Sequence, residues 1–342
     1  MLFSLSRVGA QSGEGAGSQA TSTWQAKLAV IRGPGVDLPG ALLIRLRQCA
    51  ISTIFVRPRR VRLEDALVMT LMLYCMVLIA LLIERLRPAQ HQPAHAAGFN
   101  LRYTFAFTVV QAIIFPAVSI AASYAANAAG GGWIVLPTTG WSILPAFFAY
   151  ALTVDFLEYA FHRAQHRVPV LWAMHSFHHS DQTLNESTVN RHYWAEPAIK
   201  TLSIFLMAGI IFKPGFPVLL LYNVVSFYNI FSHMNLRIGF GRWSWVVNSP
   251  QYHRIHHSAR PEHYDCNFAA LFPIFDVLFG SYYKPFLNEF PPTGIEGDDR
   301  PANLIEAFAW PVRKLMRRPV SNQKPAVGNA DGTTRESTVT KT

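Results

Sequence analysis

Residues 141–179 read WSILPAFFAYALTVDFLEYAFHRAQHRVPVLWAMHSFHH. The apolar run 141–156 is long enough to enter a bilayer, and it carries Asp155 and Glu158 directly into His162-Arg-Ala-Gln-His166. A second box, His175-Ser-Phe-His178-His179, follows at once, and its spacing returns in His253-Arg-Ile-His256-His257. Ten of the thirteen histidines fall between His162 and His257, a density that metal binding explains and chance does not. Neutral imidazole is the commonest protein metal ligand, and borderline metals such as iron and zinc accept it.

Outward from this stretch the chain reads as an all-α integral membrane protein: about four transmembrane or hairpin helices beneath a helical, histidine-rich cytoplasmic cap. Hydrophobic residues make up 51% and charged residues 15%, and mean hydropathy is positive, a balance that suits a membrane protein. Residues 66–83 carry no charge and are flanked by Glu64, Asp65, Glu84 and Arg85, so they form one expected crossing. Residues 104–126 form another. Residues 201–212 and 216–231 are short apolar arms around Lys213-Pro214-Gly215, which predicts a hairpin that returns the chain to the side it left. Such a return is needed if the second and third boxes are to meet.

Four regions are expected: 1–60, an extension partly disordered or interfacial; 61–140, the first membrane spans; 141–312, the histidine-bearing region; and 313–342, a disordered polar tail. The extension shows no cleavable leader pattern. The net charge of +10 gathers in Arg57, Arg59, Arg60 and Arg62 and in Arg313, Lys314, Arg317 and Arg318, which suits anionic lipid on the cytoplasmic face. Three crossings ahead of the boxes would put the first cluster opposite the histidines, so either one segment fails to span or the charge signal misleads. No aromatic-interleaved basic motif for nucleic acid is present. Cys49, Cys75 and Cys266 have neither iron-sulfur nor disulfide spacing.

On a helix His162 and His166 share a face, as do residues within each later box. Eight box histidines exceed what one ion can use, so two metals are implied. His233, closing the returning arm, is a further candidate ligand. His192 is a candidate ligand, a support for one, or a substrate contact. Asp155 and Glu158 lie on the stripe of His162 and are expected to accept from ligand N–H groups. His263 is expected in a loop or supporting place, and His91 and His95 in solvent. Trp194, Phe227, Tyr228 and Trp243 suit either a substrate entrance or an interfacial aromatic belt.

Over about 144–283 the chain resembles the fatty acid hydroxylase superfamily of sterol desaturases, fatty acid hydroxylases and alkylglycerol monooxygenases. The likeness rests on Asp155-Phe-Leu-Glu-Tyr159 before the first box, Leu171-Trp172 before the second, Tyr252 before the third, and the closing Asp265-x-Asn267-Phe268 and Phe275-Asp276. Phe275, where many members carry Trp, and Ala269-Ala270, where Gly is common, depart from the pattern. The resemblance implies a centre of two iron ions that uses O2 and external electrons to hydroxylate a C–H bond of a sterol, fatty acyl or other long-chain lipid. Asn267 and Asp276 are then expected to support the ligands. No Gly-rich dinucleotide fingerprint is present, so a ferredoxin or a cytochrome with its reductase is the expected electron donor. Desaturation is the alternative on the same site; hydroxylation, with one hydrogen abstraction instead of two, is the less demanding course. A zinc membrane hydrolase would want fewer histidines and a carboxylate base. A metal-binding transporter would put its ligands near the bilayer midplane rather than beyond the apolar ends.

Overall fold

The computed structural model describes residues 63–93, 95–295, 297 and 299–316. Helix α1 (Leu63–Glu84) is followed by α2 (Gly98–Ala128), α3 (Ile143–Arg167) and α4 (Pro169–His179). The chain then runs through α5 (Glu196–Lys200), a π-helical turn (Thr201–Phe205), α6 (Leu206–Ile211), α7 (Phe216–Ser226) and α8 (Tyr228–His233). Helices α9 (Pro250–His256), α10 (Ile274–Leu278), α11 (Leu304–Phe308) and α12 (Trp310–Met316) complete the described residues.

Two helices, α2 and α3, are long and apolar enough to cross a membrane. Their outward faces, with Phe105, Val109, Ile113 and Ile120 on one and Leu144, Phe148 and Leu152 on the other, are exposed, as lipid-facing surfaces are. The expected crossing at 66–83 lies within α1, whose stretch Thr70–Glu84 is a shorter apolar helix. The expected hairpin forms as two broken arms, π turn plus α6 and then α7 plus α8. Its tip is held by a two-residue parallel ladder, Ile134 with Phe212 and Val135 with Lys213, the single sheet among the described residues. Two glycines permit that tip. Gly132 sits at φ +78°, and a Cβ on Gly215 would lie 2.5 Å from Thr138 Cγ2.

Four apolar clusters position the site. One joins α3, α6 and α7 through Phe147, Tyr150, Val154, Ile204 and Val218. Another places Trp310 of α12 against Phe177 of α4, where the indole N–H donates to Ser176 Oγ at 3.0 Å. Residues 313–316, assigned to the tail on composition, therefore belong to a packed helix; the remainder of the tail and the 1–60 extension lie outside the described residues. Smaller clusters join Ala80 to Met234 and Leu236, and Tyr159 to Phe268 and Ala269.

Polar clamps hold the ends of the ligand-bearing helices. Beyond α4, buried Arg191 donates to the Phe177 carbonyl at 3.1 Å and to Ser180 Oγ at 2.7 Å, a cation at a helix C-terminus. Within α9, buried Arg254 donates to the Pro291 carbonyl at 2.9 Å and to Asn235 Oδ1 at 3.2 Å. The Asn235 N–H in turn reaches Glu84 Oε1 of α1 at 2.8 Å.

Candidate metal centre

The nine histidines of the boxes and hairpin converge in two groups. His162, His166, His175, His179 and His256 form the first, and His178, His233, His253 and His257 the second; within each group the ligand atoms lie within 4.8 Å of one another. Helical periodicity explains the sorting. In α4, His175 and His179 share one face and enter the first group, while His178, turned about 100° from His179, enters the second. The third box mirrors this, with His253 and His257 in the second group and His256 in the first. Helix α3 completes the first group with its i,i+4 pair, and α8 completes the second with His233.

The protonation pattern tests whether these residues suit metal ions. His162 Nδ1–H donates to the Phe268 carbonyl at 2.7 Å, His256 Nδ1–H to the Cys266 carbonyl at 2.8 Å, and His233 Nδ1–H to the Asn229 carbonyl at 2.7 Å. A carbonyl only accepts, so each of these rings turns a bare Nε2 lone pair inward. Burial, with neighbouring imidazoles adding to it, pushes His178, His179, His253 and His257 well below the ordinary histidine range, so they stay neutral. Yet Nε2 meets Nε2 at 3.0 Å for His162 with His175, 3.2 Å for His166 with His179, and 2.9 Å for His233 with His253. His256 Nε2 is buried without a partner. Each pair makes a hydrogen bond if one ring carries its proton on Nε2; with Nδ1 protonated on both rings the facing lone pairs repel unless a cation lies between them, and all-nitrogen sets of five and four donors fit one divalent ion each.

The expected supports fall differently. Asp155 accepts from no histidine; it takes the backbone N–H groups of Leu271 and Phe272 at 3.0 and 2.9 Å and so ties the loop before α10 to α3. Glu158 pairs instead with Lys200 at 2.9 Å. Both carboxylates share the stripe of His162, but their oxygens point toward closer donors. Asp276 accepts from Phe268 and Ala269 N–H, both at 2.8 Å, and from the Tyr252 hydroxyl, which fixes the segment whose Phe268 carbonyl holds His162. Asn267, at φ +59°, accepts from Tyr283 N–H at 2.8 Å.

His192 joins neither group. Its Nδ1 lies 3.1 Å from Glu196 Oε1, and its ring stacks on His178 at 4.4 Å and 12°. Glu196 draws it aside, and sequence reading missed this carboxylate. Glu196 also stands 3.5 Å from His175 Nδ1 and accepts from Gln165 at 2.8 Å, and His175, His192 and Glu196 form a third close set. The signal was present as His192-x-x-x-Glu196, an i,i+4 pair. His166 Nδ1 lies 3.4 Å from Asp265 Oδ1. Buried His263 lies outside both groups, between Ser258 and Glu289, and His91 and His95 are exposed.

A cavity of about 220 Å³ opens against both groups, touching His162 and His175 of the first and His178, His233 and His253 of the second. Tyr228 lines it; Trp194, Phe227 and Trp243 do not. Its other wall combines Val225, Phe268 and Leu271 with Glu158 and Lys200.

The fatty acid hydroxylase family profile matches residues 147–281, the segment from α3 through α10 that carries all nine converging histidines. Alkylglycerol monooxygenase of Xenopus tropicalis is 34% identical over 165 residues, 48% of this chain and 35% of that protein. The Danio rerio protein of the same name is 32% identical over 38% of this chain and 29% of its own length, and the Homo sapiens one 32% over 42% and 32%. The chain thus spans about a third of the length of the curated relatives it matches. No solved structure matches it. The profile lies across the histidine boxes, and together with these relatives it supports membership of the fatty acid hydroxylase superfamily for this segment of the chain.

Proposed function

We propose that this chain is a membrane-embedded lipid oxygenase that holds two iron ions in its two histidine groups. The observation that carries the proposal is the pair of all-imidazole sets facing one cavity beside the membrane-length helix α3. When bound, the irons would supply activation of O2 for insertion of one oxygen atom into a C–H bond. The overall balance is RH + O2 + 2 electrons + 2 H⁺ giving ROH + H2O, with the electrons drawn from an external ferredoxin or cytochrome system. The relatives named for alkylglycerols make an ether lipid the first substrate to try.

The chain's own residues contribute positioning and dryness. The Phe268, Cys266 and Asn229 carbonyls fix ligand tautomers, and Asp276 fixes Phe268 in turn. Val225, Phe268 and Leu271 give the cavity an apolar wall that orders a chain and displaces water. A zinc hydrolase would want a carboxylate base beside the open face of its ion; Glu196 instead sits at His175 Nδ1, on the side of the ring away from the Nε2 atom that meets His162. Entry of the lipid from the bilayer and a cytoplasmic histidine cap complete the reading.

Metal analysis and Mössbauer spectroscopy of detergent-purified protein grown on labelled iron test it. Two irons per chain with a coupled diferric signal, and one ¹⁸O atom from ¹⁸O2 in a lipid product, are the expected results. Zinc that persists through anaerobic iron reconstitution would overturn it.

A further inference from the structure

The cavity is small. Both histidine groups and the rest of its lining face one space of about 220 Å³, so the end of a long-chain lipid lying there meets the histidines and the opposite wall together. The wall it meets there contains Lys200, the sole lysine or arginine lining the cavity among the described residues, paired with Glu158 at 2.9 Å. Both side chains keep some surface open, 26% and 18%. An ammonium has three N–H donors, and one satisfies Glu158 Oε2, which leaves two to offer; the carboxylate keeps lone pairs to accept. A largely desolvated ion pair is costly to maintain, and simple packing would serve better there with apolar side chains.

Burial pulls the Lys200 ammonium down, but the Glu158 and Glu196 carboxylates together outweigh it and hold Lys200 above its ordinary range, so it stays charged beside Glu158. Such a pair suits a hydroxyl, which accepts from Lys200 while donating to Glu158. A carboxylate or phosphate would have to displace Glu158 first. Lys200 also stands one helical turn from Glu196, the residue beside His175, and lines the same cavity as His162, His175 and His178.

We propose that the Glu158–Lys200 pair reads the neutral, hydroxyl-bearing end of the lipid, and that the bond attacked lies within a few bonds of that end. The proposal rests on the lipid-oxygenase reading above.

Equilibrium binding to the metal-free protein in detergent tests the recognition without chemistry, using 1-O-hexadecylglycerol, hexadecane and hexadecanoate as probes. The diol ether should bind wild type best. Lys200→Met and Glu158→Gln should each weaken it about tenfold or more and leave hexadecane unchanged, while Lys200→Arg keeps the preference. Equal diol binding by Lys200→Met, parallel loss of both the diol and hexadecane, or tighter binding of hexadecanoate by wild type would overturn the assignment. With the iron-loaded enzyme, oxygen inserted beside the ether oxygen gives a hemiacetal that breaks into hexadecanal and glycerol, the expected products, whereas ¹⁸O retained in mid-chain on an intact diol ether would refute the placement. If iron or oxygen incorporation is missing altogether, the oxygenase reading falls, and the binding comparison still decides whether the pair recognises a hydroxyl-bearing end.

Discussion

The two histidine groups use the same ligand atoms but are braced differently. In the first, His162 and His256 donate to carbonyls, and His166 and His175 lie 3.4 and 3.5 Å from carboxylate oxygens. In the second, His233 alone is fixed through Nδ1, while the Nδ1 atoms of His178, His253 and His257 are buried without partners. More rings of the first group than of the second are thus oriented by polar contacts before any ion arrives, although His175 Nδ1 reaches Glu196 only at 3.5 Å; in the second group packing does most of that work. Supporting contacts are worth tenfold to a hundredfold in metal affinity, so the groups should differ in how tightly they hold their ions.

Removing a ligand from either group should have the largest effect. His162→Ala and His253→Ala should each lower turnover more than about 100-fold, beyond the range typical of supporting partners. His253→Ala should still retain about one iron per chain in the braced group. Full metal content in either variant, measured by elemental analysis, would break the two-site picture. Next, chelator competition on the wild type should release iron in two phases, the first from the second group and abolished in His253→Ala. A single phase would show that bracing does not set affinity here.

Glu196→Ala should reduce affinity in the first group by about tenfold to a hundredfold in metal titrations, narrowing the gap between the phases. A smaller effect belongs to Glu186, fully buried in the 3-10 turn (Glu186–Asn190) that packs near α8, with neither carboxylate oxygen bonded. Burial and the nearby Glu84 charge raise its pKa to about 10 from 4.5. The folded state therefore prefers the protonated acid, and stability is fully present below about pH 4.5 and declines as pH rises toward 10. Glu186→Gln should gain about 1–3 kcal/mol at pH 8, with the gain vanishing near pH 4.5 in thermal melts. At the bottom of the scale, His91→Ala and His95→Ala should leave iron content and turnover unchanged.

The histidine boxes were legible because imidazole is scarce and i,i+3,i+4 spacing puts ligands on neighbouring helix faces. How each box divides between two ions was not legible, since that depends on which side of α4 faces α3 and which faces α9. The hairpin could be read from Lys213-Pro214-Gly215, although its arms are broken rather than continuous. Asp155 and Glu158 misled because a stripe on a helix says where a side chain starts and not which donor it reaches. Asp155 found the backbone of Leu271 and Phe272, which is distant in sequence, and Glu158 found Lys200. Glu196 was overlooked because a single acidic residue in a loop-like stretch carries little weight until its neighbours are placed.

Trp310, which has no exposed surface, closes over the back of the helix that presents His175, His178 and His179. It lies more than fifty residues beyond the last ligand. A ribosome that has just released His257 has therefore made every ligand but not the wedge that steadies the second box. Assembly of the centre becomes a late event in the life of the nascent chain.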